Sequence, residues 1–187
     1  MERDAGPAWR VTSDEPDPRT VERLLRSLPE WFGIESSVTE YVEAARQMPA
    51  YLAWPAGATD REAGCQPLGV LLAQRHFPCS AEIHLLAADR GLHRRGIGRA
   101  LVRALEADLI RDGVELLQVK TLGPARPDAG YERTRQFYAA LGFLPLEEVH
   151  GLWAENPCLI MVKVLASSGY AVSGEDLSGP RRTQLNH

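Results

Sequence analysis

The stretch AEIHLLAADRGLHRRGIGRALV, Ala81 to Val102, limits the fold of this chain more than any other segment. Ala81 to Ala88 is apolar except at Glu82 and His84, so it reads as a largely buried strand. It runs through Asp89, Arg90 and Gly91 into a turn where Gly96 and Gly98 sit among His93, Arg94, Arg95 and Arg99. Leu101, Val102, Leu105 and Leu109 then recur at spacings of three and four, a helical stripe closed by Asp112-Gly113. A strand that runs through a glycine turn into a helix, in a chain that mixes antiparallel hairpins with helical crossovers, fits an α/β or α+β arrangement.

The turn also has a chemistry. The first turn of a helix carries unpaired N–H groups and a partial positive charge, and glycine lets an anion approach the backbone with no Cβ in the way. A phosphate suits such a place. The spacing is not that of a P-loop, which needs Gly-x-x-x-x-Gly-Lys followed by Ser or Thr. Nor is it the dinucleotide fingerprint, because Leu101 stands where that pattern wants a third glycine.

The rest of the chain places this unit in a mixed sheet. Trp9 to Thr12 opens a strand, Asp17-Pro18 caps a helix carrying Val21, Leu24, Leu25 and Leu28, and Ser37 with Glu40 has the spacing of a capping box. Val38, Tyr41, Ala45 and Met48 make the buried stripe of that second helix, and the aromatic connection PEWFGI joins the two. Tyr51 to Trp54 and Leu68 to Gln74 read as strands around a mobile hairpin loop, PAGATDREAGCQP. After the glycine turn and its helix come a strand at Glu115 to Thr121 and the proline-rich loop LGPARPDAG. A helix carrying Thr134, Phe137, Tyr138 and Leu141, closed by Gly142, precedes strands at Leu144 to Leu152 and Leu159 to Val164. The order predicts one α/β (α+β mixed) domain over residues 1–165 with a central sheet, followed by a flexible, Ser- and Gly-rich tail over 166–187.

Charge and cysteine usage narrow the partners. A net charge of -4 argues against broad attraction to nucleic acid or anionic membrane, so the arginines of the turn act locally. No apolar run approaches the ~18 residues of a membrane span. Cys65, Cys79 and Cys158 are odd in number and lack metal-site spacing, which fits a reduced, cytoplasmic protein with no metal.

Two segments together carry a family resemblance. AEIHLLAADRGLHRRGIGRALV resembles the acetyl-CoA-binding segment of the GNAT superfamily of N-acetyltransferases, and YERTRQFYAALGF resembles that family's second motif. The strand and helix order from Trp9 to Val164 is similar to the GNAT fold, a mixed, mostly antiparallel sheet flanked by helices. The resemblance implies acetyl-CoA as cosubstrate and transfer of its acetyl group to a primary amine by direct attack in a ternary complex. It implies that the pyrophosphate meets backbone N–H groups of Arg94, Arg95, Gly96, Ile97, Gly98 and Arg99. His93 takes the place where the family has Arg or Gln. Leu86, Ala87 and Ala88 flank the pantetheine arm, with main-chain groups of Leu86 and Ala88 facing it, and Tyr131, Thr134 and Phe137 approach it from the second motif.

By the same resemblance Tyr138 is the general acid that protonates the departing thiolate, and a phenol with a pKa of about 10 stays protonated at neutral pH. Glu82 is the first candidate for the base that accepts the amine's proton, whereas His84, which alternates with it on one face of the strand, reads as a satisfied half-buried histidine rather than a base. A backbone N–H near Leu86 would meet the oxyanion. Trp31, Phe32, Trp54, Phe77 and Trp153, with acids such as Glu30 or Glu35, would wall an acceptor site. A noncatalytic acyl-CoA-binding or sensing module is the alternative, and a homodimer is compatible with either reading.

Overall fold

A computed structural model describes residues 9–14, 18–57, 65–153 and 156–165. Asp17, the centre of the hairpin loop and the tail over 166–187 lie outside the described residues. Seven strands form one sheet: β1 (Trp9–Asp14), β2 (Ala50–Pro55), β3 (Gly69–Phe77), β4 (Ser80–Ala88), β5 (Leu116–Leu122), β6 (Leu144–Trp153) and β7 (Asn156–Val164). Their order is β1-β2-β3-β4-β5-β7-β6. Every neighbouring pair is antiparallel except β4 and β5, which run parallel because a helix crosses between them. The expected mixed, mostly antiparallel sheet flanked by helices is therefore what the chain forms.

Among the described residues, four α-helices cover this sheet. α1 (Pro18–Arg26) and α2 (Glu35–Ala44) lie on one face, where Val21, Leu24, Leu25 and Val38 pack on Leu52, Val70, Leu72 and Leu85. α3 (Ile97–Arg111) and α4 (Ala129–Ala139) lie on the other, where Leu101, Leu105 and Tyr138 pack with Leu71, Ile83, Leu117 and Val119. Each helix buries only its apolar stripe, so the sheet carries two cores, one on each face.

The helix ends differ in part from the sequence expectation. Ser37 and Glu40 do not form a capping box: α2 begins at Glu35, its N-cap is Ile34, and no side chain caps it. Both carboxylate oxygens of Glu35 are instead gripped by Arg26 at the end of α1, at 2.7 and 3.1 Å, which places an anion in the first turn of α2. The cap that does form lies within the proline-rich loop, where Asp128 accepts a hydrogen bond from the N–H of Tyr131 and starts α4. α3 closes at Gly113 and α4 at Gly142, both with positive φ, as their sequences predict.

Phe143, 1% exposed, closes the α4 side by setting its ring edge-on against Tyr138, 5.4 Å between centroids. Phe143→Ala is expected to lower the unfolding free energy by about 3–5 kcal/mol in urea titration, through lost burial and the remaining cavity.

Candidate active site

The site begins where two strands stop pairing. β4 and β5 are in register from Ser80/Leu116 to Ile83/Val119 and then diverge, although β4 continues to Ala88 and β5 to Leu122. The cause lies in the pairing of β4 with β3: Leu72 faces Leu85 but Ala73 faces Ile83, so His84 is an extra residue on β4. Such a bulge bends its strand and reverses the alternation of side chains beyond it. Ile83 accordingly points into the α3 core and Leu85 into the α1–α2 core.

Beyond the bulge one edge of β4 is open. The N–H of Asp89 donates to Leu68 O at 2.8 Å, so alternation turns the main-chain groups of Leu85 and Ala87 toward β3. Those of Leu86 and Ala88 therefore face the split. Ala88 O is met there by the His93 ring, whose Nε2 lies 3.0 Å away. The edge of the Trp31 ring holds that imidazole at 5.7 Å. His93 thus contacts the strand end itself.

The basic turn is shaped by two left-handed residues, Arg94 at φ 63 and Gly96 at φ 89, the latter being the N-cap of α3. Their N–H groups, with those of Ile97, Gly98 and Arg99, donate to no other described residue, so they form a concave set of donors. Arg95 departs from the expectation, because its N–H donates to Leu92 O and it does not border the cavity. Gly98 has a packing duty as well: a Cβ there would stand 3.2 Å from Phe137 Cζ and 3.7 Å from Leu86 Cδ2.

A cavity of about 510 Å³ runs from this turn along the split. It brings together every cofactor-site residue expected from the sequence except Arg95, along with Tyr138. The hydroxyls expected from α4 are partly engaged. Tyr131 Oη donates to Trp31 O at 3.0 Å, and Thr134 Oγ1 accepts from Trp31 Nε1 at 3.1 Å. These bonds tie the aromatic connection between α1 and α2 to α4 across the cavity. Tyr138 is buried, its hydroxyl bonds to no described residue, and burial pushes its pKa up, so it stays a protonated phenol.

A second, more polar cavity of about 200 Å³ adjoins the first and shares Tyr41, Ile83, His84, Lys120 and Trp153 with it. Glu82 borders this smaller cavity and not the larger one. Its Oε2 lies 2.7 Å from Lys120 Nζ, 2.7 Å from Gln118 Nε2 and 2.8 Å from His76 Nε2. Burial alone would raise the Glu82 pKa, but the bonds from Lys120, His76 and Gln118 outweigh it and hold the carboxyl below its usual range. Burial lowers the pKa of His84, which keeps its ring neutral at neutral pH. Tyr41 meets that ring edge-on at 5.4 Å, and burial pushes the Tyr41 phenol up to about 12.

Sequence reasoning did not find Lys120, Gln118, His76 or Tyr41 as site residues. Of the aromatic candidates, Trp31, Phe32 and Trp153 line the larger cavity. Trp54 does not: it is buried in the α1–α2 core with its N–H on Thr12. Phe77 sits exposed at the far end of β3. Glu30 and Glu35 are also elsewhere, paired with Arg90 and Arg26. No group of His, Cys, Asp and Glu among the described residues could hold a metal ion, and no helix there is long and apolar enough to cross a membrane.

The fold of the chain recurs in solved structures of acetyltransferases. An acetyltransferase of the GNAT family from Desulfovibrio desulfuricans superposes with a TM-score of 0.71 at 17% identity, covering 85% of this chain and all of that one (100%). The ribosomal-protein-S18-alanine N-acetyltransferase of Escherichia coli gives 0.67 at 16% identity, covering 88% and 99%. NAA60 of Arabidopsis thaliana, solved with acetyl-CoA, gives 0.65 at 13% identity, covering 83% and 98%. No curated protein sequence matches the chain. The Acetyltransferase (GNAT) family model matches residues 20–143, more than half of the chain, and the protein belongs to that family.

Two stability predictions follow from this geometry. Gly96→Ala is expected to cost about 1–2 kcal/mol in urea titration, since a Cβ disfavours the left-handed cap and would also stand 3.3 Å from the Trp9 ring. Glu82 has a lowered folded pKa, so its contribution is present above the usual glutamate value and is lost as pH falls through the folded one. The stability gap between wild type and Glu82→Gln should therefore be full at pH 7 and shrink below about pH 4.3, as read from melting temperatures across pH.

Proposed function

We propose that this protein transfers the acetyl group of acetyl-CoA to a primary amine, by direct attack while both substrates are bound. The observation that carries this reading is the cavity at the β4–β5 split, which has unpaired N–H donors at one end and the protonated Tyr138 on its wall. The donors of Arg94, Gly96, Ile97, Gly98 and Arg99 suit a pyrophosphate, with the side chains of Arg94 and Arg99 offsetting its charge. The open edge at Leu86 and Ala88 suits the amide groups of a pantetheine arm laid along it like a missing strand, once the His93 ring has left Ala88 O. Leu86 N–H then stands where a thioester oxygen gains negative charge.

Tyr138 gives its proton to the thiolate as the carbon–sulfur bond breaks. A phenol whose pKa burial has raised keeps its proton at neutral pH and has it to give as the thiolate charge develops beside it. Glu82 supplies a fixed negative charge at the acceptor end. It is a weak proton acceptor itself, because three donors already stabilise its ionised form. The acetyltransferase domain spans residues 1–165, with the remainder as an appended tail. The free thiols of Cys65, Cys79 and Cys158 suit a reducing compartment such as the cytoplasm.

The test is Tyr138→Phe, assayed by acetyl-CoA calorimetry and by release of free coenzyme A with an alanyl peptide, an aminoglycoside, a polyamine and benzylamine. Acetyl-CoA affinity should stay within about twofold and stability within about 0.5 kcal/mol, since the lost hydroxyl bonds to no described residue. Turnover should fall by about 10²–10⁴-fold. Wild type that binds acetyl-CoA but turns over none of the four amines would favour a noncatalytic acyl-CoA-binding module.

A further inference from the structure

The open end of β4 is already occupied by one of the chain's own side chains. A single 3₁₀ turn over Arg90–Leu92, started by the Asp89 carboxylate accepting from the N–H of Gly91, folds the backbone over. His93 is thereby returned to the strand it has just left, with Nε2 3.0 Å from Ala88 O. A carbonyl oxygen only accepts, so Nε2 carries the proton and the ring donates. A strand laid along this edge would set an N–H at much the same distance from that oxygen, about 2.9–3.0 Å. The ring therefore fills the place of an incoming hydrogen-bond partner.

Trp31 braces the ring there. Its indole N–H donates to Thr134 Oγ1 at 3.1 Å, and its main-chain oxygen accepts from Tyr131 Oη at 3.0 Å. Glycine at position 130 lets α4 come close, since a Cβ on Gly130 would stand 3.4 Å from the indole. The ion pair of Glu30 with Arg90 ties the α1–α2 connection to the turn itself. The rings of Trp31 and His93 then meet edge-on with their centroids 5.7 Å apart. An exposed imidazole that would otherwise sample several rotamers is thus held on one oxygen.

We propose that His93 is a built-in plug of the split, which competes with the donor for the end of β4 and so limits donor affinity instead of adding to it. This rests on the acetyltransferase reading above, because the competitor it names is the pantetheine arm of acetyl-CoA. A ligand that needs the open form binds with its intrinsic affinity scaled down by the fraction of chains that are open. One braced hydrogen bond changes that fraction by about 2–10-fold. The contact serves the empty chain, since it satisfies a carbonyl on an unpaired strand edge. The opposite role, in which His93 grips the pyrophosphate, predicts the opposite sign when the ring is removed.

The experiment compares wild type with His93→Ala, both as the full chain, by calorimetry with acetyl-CoA and by displacement of acetyl-CoA with ADP, which carries a pyrophosphate and no pantetheine arm. His93→Ala should bind acetyl-CoA about 2–10-fold more tightly and ADP within about twofold of wild type. Weaker binding of acetyl-CoA and ADP would assign His93 to the pyrophosphate, and unchanged binding of acetyl-CoA would make the ring a bystander. Either result overturns the proposal and leaves the acetyltransferase reading standing. A second measurement needs no variant: the nuclear Overhauser contact between the rings of His93 and Trp31 should be present in the empty wild type and lost when acetyl-CoA is added. A contact missing from the empty chain, or one that persists in the complex, overturns the proposal as well. Wild type that does not bind acetyl-CoA at all would overturn both readings.

Discussion

One extra residue in β4 organises this molecule. A parallel strand pair gains main-chain hydrogen bonds for every residue kept in register, so two strands lying side by side tend to zip to their ends. β4 and β5 do not, because the bulge at His84 bends β4 away just past Ile83 and Val119. The consequences are all local to that bend. The side-chain alternation reverses, so Leu85 and Ala87 serve the α1–α2 core after Ala81 and Ile83 have served the α3 core. The edge at Leu86 and Ala88 is left without a strand partner, and the gap is wide enough to form a cavity of about 510 Å³.

An unpaired strand edge inside a sheet is costly unless something covers it. Here the cover comes from both faces. Phe137 of α4 packs against Gly98 at the start of α3, and Trp31 from the α1–α2 connection reaches across to Thr134 and Tyr131. His93 contacts the carbonyl of Ala88. The same side chains that line the larger cavity therefore shield backbone groups that the bulge has exposed. Their removal would be felt in folding as well as in binding, which is why affinity and stability have to be measured together at these positions.

The fold and the glycine turn that borders the larger cavity were legible in the sequence because both are written locally. Gly96, Gly98 and the following apolar stripe lie within a few residues of one another, and Tyr138 sits on a short helix closed by Gly142. The polar cluster around Glu82 was not legible, because it is assembled by register. Gln118 and Lys120 reach Glu82 only because the parallel pairing sets Gln118 beside it, and His76 reaches it across an antiparallel hairpin. Nothing in the spacing of these residues along the chain announces that meeting. Alternating polar side chains at Gln118 and Lys120 in an otherwise apolar strand were the available sign that its second face looks onto something polar. The failed capping box at Ser37 has a similar origin: a local pattern yielded to the tertiary grip of Arg26 on Glu35.

One polar atom at the split is left over. Thr121 Oγ1 is buried with no hydrogen-bond partner among the described residues. Leaving a buried polar atom unpaired costs about 1–3 kcal/mol, and most folds avoid it. Glu82 shows that this chain can satisfy a buried charge when it must, with three donors on one oxygen. The unsatisfied hydroxyl lines the larger cavity and the satisfied carboxylate borders only the smaller one. That contrast separates a polar group left open toward the split from one committed to bonds across the sheet.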